Sequence, residues 1–343
     1  MIESQKLVVK LNQINSQIVK TFDYVVYSLN KLASKFGDDG YLLYGFLSST
    51  GIFIGMTSLK FIPSVDWSIC FILRGVAYYL FGIIFAAIYK SDITFAGNSF
   101  YYTNLRNILM GFYQLFLQYV MVLLPVSIIW IIINSTPIFV FIVNYFMFSI
   151  PISGNQILLL LLSLFGVSLI MDPEIFQHLF NALIKKDNQV EEGQIKDQGF
   201  QITLKHVLSA LLLLSQCVCA YAVCVIKKAS KVNSLSITLH LGFVFITIGS
   251  IALFYRSEFI NIPSLQDLFL VFLFYGFGTF LPSILFIQGT LIAKCQGKYS
   301  LTTYTNVFYA FIFQILFQNK NPSIFEFIGV IITFYGLYKL MVK

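Results

Sequence analysis

Ten apolar stretches recur along the chain, at approximately 41–60, 68–89, 107–124, 126–149, 155–171, 206–226, 236–254, 267–288, 300–318 and 324–342. At 1.5 Å per residue, each is about long enough to cross 30 Å of hydrocarbon. The charges sit elsewhere. Of 37 charged residues, nine fall in residues 1–40 and ten in residues 172–205, which leaves 18 for the other 269 positions. The whole chain is 58% hydrophobic and 11% charged, where a soluble domain carries roughly 25% charge. So few charges cannot clothe a water-facing surface. The sequence therefore predicts an all-α polytopic membrane protein with lipid as its main solvent.

Short connections, such as Leu124-Pro125-Val126 and Ile150 to Gly154, force the helices they join to run antiparallel. The one long internal connection, 172–205, opens with the helix-stopping pair Asp172-Pro173 and stays polar through Lys185 to Asp197. It divides the chain into a first five-helix unit (41–171) and a second (206–343). An odd number of crossings per unit means that related halves enter the membrane from opposite sides, as two inverted five-helix repeats. Laying 114–171 over 284–341 without a gap pairs Leu115, Phe116 and Gln118 with Leu285, Phe286 and Gln288, and Gly166 with Gly336.

Residues 1–40 form a separate unit. Apolar residues from Leu7 to Phe36 recur at steps of three and four, opposite Lys10, Lys20, Lys31 and Lys35. This predicts an amphipathic helix that either rests on the bundle and membrane surface or docks a partner, such as a second copy or a membrane complex. No cleavable secretory signal is apparent, so targeting is expected to reside in the first membrane helix. With the N-terminus on side one, Lys and Arg divide fourteen to seven in favour of that side, which predicts that both termini are cytosolic.

The net charge of +7 is spread over short loops and forms no basic face, so no nucleic-acid partner is expected. The five cysteines lie in or beside apolar spans without a Cys-x-x-Cys pair, which argues against a disulfide framework, thiol redox chemistry or a zinc site. No catalytic, nucleotide or metal pattern appears, so neither enzymatic activity nor a cofactor is expected. What remains informative is the set of polar groups at membrane depth, each of which needs a partner and can line a solute path.

Arg74 lies two turns into the second stretch, where its charge costs on the order of 2.5–3.5 kcal/mol. It either draws an anionic solute into a cavity or reaches an interface or helix-end carbonyls. Arg106 reads as a solvated anchor at a helix edge. In Asn134-Ser135-Thr136-Pro137 the proline predicts a kink that frees carbonyls beside polar side chains. Tyr304, Thr305 and Asn306 occupy the corresponding depth of the second half. Gln114 and Gln118 share a helix face, His240 reads as a packing residue or a proton relay, and Gly51 and Gly55 as a close-packing pair.

These residues resemble the drug/metabolite transporter superfamily, in particular its EamA-type branch. The resemblance runs over about 41–342. It rests on Leu105-Arg106-Asn107, Asn134-Ser135-Thr136-Pro137, Phe165-Gly166-Val167 through Asp172-Pro173, and Arg74-Gly75. It implies ten helices in two inverted repeats, alternating access to a central cavity and cytosolic termini. The phosphate-binding lysines usual in nucleotide-sugar and triose-phosphate relatives are absent from the fourth helix. Asn306-Val307 stands where the family often has a proline. The expected function is secondary-type transport of a small polar metabolite, with Arg74, Gln118, Asn134, Ser135, Thr136, Tyr304, Thr305 and Asn306 contacting the solute. The competing reading is a transport-inactive scaffold subunit that docks partners through its N-terminal helix.

Overall fold

Residues that punctuate the apolar runs set the helix ends. The carboxylate of Asp66 accepts the backbone N–H of Ser68 at 2.8 Å and starts one helix, and the hydroxyl of Ser264 accepts the N–H of Asp267 at 3.1 Å and starts another. Lys90 and Ser149 end two others in the left-handed conformation. The computed structural model describes residues 28, 31–32, 39–90, 93, 97–124, 126–171, 204–229, 232–256, 263–318 and 323–342. The amphipathic helix expected over 7–36 and nearly all of the 172–205 connection lie outside this set.

Every one of the ten apolar stretches is occupied by helix. In chain order these are α1 (Tyr41–Ser58), α2 (Trp67–Tyr89), α3 (Asn98–Leu123), α4 (Val126–Ile133), α5 (Thr136–Phe148), α6 (Gly154–Met171), α7 (Leu204–Val225) and α8 (Ser234–Arg256). After them, α9 (Leu265–Leu270) passes through a π turn (Val271–Phe277) into α10 (Gly278–Ile292). Next, α11 (Gln296–Ser300) passes through a 3-10 turn (Leu301–Tyr304) into α12 (Thr305–Gln318), and α13 (Ile324–Val342) closes the chain. The structure departs from the sequence reading in two places. The third stretch begins nine residues earlier than expected, at Asn98, and the fourth is two helices.

Four helical runs, Trp67–Tyr89, Val207–Ala229, Ser234–Arg256 and Leu265–Ile292, are long and apolar enough to cross a membrane. The outer surface agrees with them. Ile54, Phe146, Leu158, Leu214, Phe254 and Ile331 are all more than 60% exposed, an apolar exterior that suits lipid and not water. By length, composition and surface, the chain is an integral membrane protein.

Glycines govern how the helices meet. A Cβ on Gly75 of α2 would approach Gly242 O and Ile246 N of α8 to 2.8 Å, and a Cβ on Gly242 would approach Tyr79 N to 2.8 Å. Likewise Gly82 meets Leu239, and Gly249 meets Ile72. Numbers rise along α2 as they fall along α8, so the pair is antiparallel, and the 3.5 Å ion pair between Asp66 and Arg256 closes one end of it. Gly75 and Gly82 are separated by the same spacing as Gly242 and Gly249, and each contact made by one pair is returned by the other. The same holds for α6 and α13, where Gly166 meets Gly329 and Thr333 while Gly336 meets Leu159 and Ser163. The ungapped overlay that pairs Gly166 with Gly336 also lays Leu159 on Gly329 and Ser163 on Thr333. Beyond these pairs, α1 packs along α10 and α3 along α7. Gly51 and Gly55 of α1 lie where a Cβ would strike Pro282 and Thr279, so that pair is used for close packing.

Candidate functional site

Pro137 has no N–H, so the carbonyl of Ile133 loses its helical donor, and the side chains around the break replace it. The hydroxyl of Thr136 donates to Ile133 O, that of Ser135 to Ile132 O at 2.6 Å, and the amide of Asn134 to Trp130 O at 2.7 Å. The sequence anticipates a kink that leaves carbonyls open. Instead the chain breaks between α4 and α5, and the polar side chains turn back onto those carbonyls. The second half does the same over its 3-10 turn. Here the hydroxyls of Ser300, Thr302, Thr303 and Thr305 each donate to the carbonyl three residues earlier, at 2.6–2.8 Å. The overlay of the two halves superposes these breaks, laying Asn134, Ser135 and Thr136 on Tyr304, Thr305 and Asn306.

Between the breaks lies a cavity of about 120 Å³. Its walls come from both halves: Ser49, Ile52 and Met56 of α1, Arg74 of α2, five residues of α3 from Arg106 to Leu117, and Trp130, Ile133, Thr136 and Val140 of α4 and α5. From the second half come Cys219 and Val223 of α7, Leu241 and Phe245 of α8, Ser283 and Phe286 of α10, and Ser300, Thr303 and Asn306. Most of this lining is apolar, and no carboxylate is part of it.

Arg74 is 3% exposed and stands among three aromatic rings, its guanidinium carbon 5.1–5.2 Å from the ring centres of Tyr78, Phe245 and Tyr275. Nη1 donates to Gln114 Oε1 at 3.0 Å and to the hydroxyl of Tyr275 at 3.1 Å. Nε and Nη2 donate to the hydroxyl of Tyr78 at 3.2 and 3.0 Å. That phenol donates onward to Thr279 O at 2.9 Å and lies against Ser283 Oγ. Tyr275 comes from the π turn, a wider coil that often marks functional positions. The turn is pressed against α2, so that a Cβ on Gly276 would strike that of Ala77 at 2.6 Å. Aromatic faces and phenols thus hold this charge at membrane depth without an acid.

Gln216 of α7, fully buried, ties the opposite wall together. Its Oε1 accepts the hydroxyl of Tyr113 at 3.1 Å and lies 2.7 Å from that of Thr136, whose single proton it shares with Ile133 O, and its Nε2 donates to Leu212 O. Nothing in its sequence context marked it, because only the fold brings it opposite α3 and α5.

Of the eight residues expected to contact solute, Arg74, Thr136 and Asn306 line the cavity. Asn306 presents an Oδ1 that is buried and has no partner among the described residues. Ser135, Thr305 and the Nδ2 of Asn134 donate to backbone carbonyls at the breaks, while the Oδ1 of Asn134, like that of Asn306, is buried without a partner among the described residues. Tyr304 faces Val330, Thr333 and Leu337 in a separate gap. Gln118 lies one turn beyond the cavity and opens on another pocket, of about 270 Å³, beside Leu59, Trp67 and Cys70. His240 bonds the Ser236 carbonyl at 2.9 Å within its own helix.

Arg106 departs most from the sequence reading. The sequence puts it at a solvated helix edge, but α3 begins two turns earlier, at Asn98, which carries the arginine inward. It is 4% exposed and lines the cavity, and its bond is from Nη1 to Asn107 Oδ1 at 2.8 Å. The early start of α3 was hidden because Asn98 to Asn104 is polar enough to read as loop.

No family model matches the chain, and no curated protein does. Solved structures share its fold. One crystal structure superposes with a TM-score of 0.66 at 11% sequence identity, covering 89% of this chain and 99% of the other. At that identity the likeness speaks for the fold alone.

Proposed function

We propose that the chain is a secondary-type transporter that carries a small polar metabolite by alternating access. In this reading it crosses the bilayer ten times in two inverted five-helix repeats, with both termini cytosolic, and hydrolyses no nucleotide. The observation that carries it is the cavity between the two helix breaks, walled by both halves. Support for the repeat comes from the contacts returned between α2 and α8 and between α6 and α13, which an inverted pair related by a two-fold axis would produce. The resemblance to the drug/metabolite transporter superfamily agrees with this architecture.

Rocking one half against the other would expose the cavity to each side in turn. Arg74, Thr136 and Asn306 would meet the solute, while Asn134, Ser135 and Thr305 keep the breaks satisfied. The test begins with a thermal-shift screen of purified protein against pooled metabolites, because a native-state ligand raises apparent stability. Flux of the resulting hit into proteoliposomes is then measured. Thr136→Ala and Asn306→Ala are expected to lower flux by roughly ten-fold or more. Unchanged flux in both would reject this cavity as the solute path.

A further inference from the structure

Arg74 and Arg106 line the same cavity but differ in how many of their donors are committed. Arg74 directs four hydrogen bonds to Tyr78, Gln114 and Tyr275 and lies against three rings. A guanidinium has five N–H donors, and among the described residues Arg106 commits one, to Asn107. It sits two turns before Gln114 on α3, about 12 Å along the axis at 1.5 Å per residue, so the Gln114 contact that serves Arg74 lies away from it. A buried cation in this condition is costly until an anion reaches it.

We propose that Arg106 is the anchor for a carboxylate and that the solute is a small organic anion with a short apolar body. This rests on the transporter reading above and names its substrate class. A carboxylate fits the planar fork of the guanidinium through two parallel bonds. Met110, Val140, Val223, Leu241 and Phe286, which offer no donors or acceptors from their side chains, give that body an apolar wall to lie against. Asn306, whose Oδ1 is buried without a partner among the described residues, is one of the polar side chains in the lining that could meet a hydroxyl or amine on the solute. The volume of about 120 Å³ restricts the body to a few carbons.

The test uses the full chain in nanodiscs, with butanoate, butanamide and butylammonium as probes of matched shape and differing charge, and chloride as the inorganic control. Binding is read as a melting-temperature shift and as a change in Trp130 fluorescence in a Trp67→Phe background, since Trp130 lines the cavity and Trp67 does not. Butanoate is expected to bind about ten-fold or more tightly than butanamide, with no response to butylammonium or chloride. Arg106→Gln is expected to bring butanoate within about two-fold of butanamide, while the empty protein melts no lower than the parent, because a buried unpaired charge is gone. Arg106→Lys, which keeps the charge and loses the fork, should retain part of the preference. Equal responses to butanoate and butanamide, a chloride response as strong as that to butanoate, or a preference that survives Arg106→Gln would each overturn the proposal. Butanoate binding without flux in proteoliposomes would uphold the anion site and reject the transporter reading. Flux of another solute without Arg106-dependent butanoate binding would do the reverse.

Discussion

A single phenol carries much of the charge accommodation at the centre of this molecule. The hydroxyl of Tyr78 receives two N–H groups of Arg74 and passes a proton donor on to α10. Removing it in Tyr78→Phe leaves two guanidinium donors unmet, which is expected to cost about 1–3 kcal/mol, more than the roughly 0.6 kcal/mol average for polar contacts between membrane helices. The check is the urea or thermal unfolding midpoint in detergent. A midpoint unchanged from the parent would mean that the aromatic faces alone hold Arg74. At this scale the sequence was partly legible. An arginine inside an apolar stretch announces a special environment whatever the fold, so Arg74 stood out. Arg106 and Gln216 did not, because their burial depends on where α3 begins and on which helix faces it, and neither is a local property.

Two kinds of element-scale device, glycine contacts and broken helices, build the bundle. Replacing Gly75 or Gly242 by alanine puts a methyl within 2.8 Å of backbone atoms on the partner helix, and overpacking of this kind is expected to destabilise by about 1–3 kcal/mol. Because the contacts are reciprocal, the two substitutions should have similar effects. Gly154→Ala, where nothing lies within 4 Å of a Cβ, should be neutral or slightly stabilising. A denaturation series over the three variants checks this, and a harmless Gly75→Ala would contradict the close approach of α2 and α8. At the breaks, Asn134→Ala and Thr305→Ala are expected to lower the unfolding midpoint while leaving solute affinity unchanged, since both side chains donate to carbonyls and neither lines the cavity. A ligand titration beside each melt separates the two effects. Each of the ten apolar runs held helix, although α11 begins between two of them and the fourth holds two helices, and Pro137 located the break. It did not disclose that the break would consume its own polar side chains, because donor and acceptor choices follow from the local geometry once the turn opens.

The whole molecule is organised by the exchange of contacts between its halves. The ungapped overlay of 114–171 on 284–341 holds only eight identities in 58 positions, yet it superposes Gly166 on Gly336 and the break at Asn134 on Tyr304. Helices facing lipid and one another demand only apolarity and small residues at crossings, so two halves can pack alike with few identical residues. The class of fold was therefore legible from composition, while of the cavity, assembled by at least eight helices, only Arg74, Thr136 and Asn306 were.

Alternating access requires that one position in the cavity be reachable in turn from both faces of the membrane. The most direct measurement places a single cysteine at Thr303, in a chain whose five native cysteines are replaced, and reconstitutes it in sealed proteoliposomes of known orientation. A membrane-impermeant thiol reagent is then applied from either side. The account predicts labelling of Thr303→Cys from both faces. Labelling from one face alone, or from neither, would contradict it.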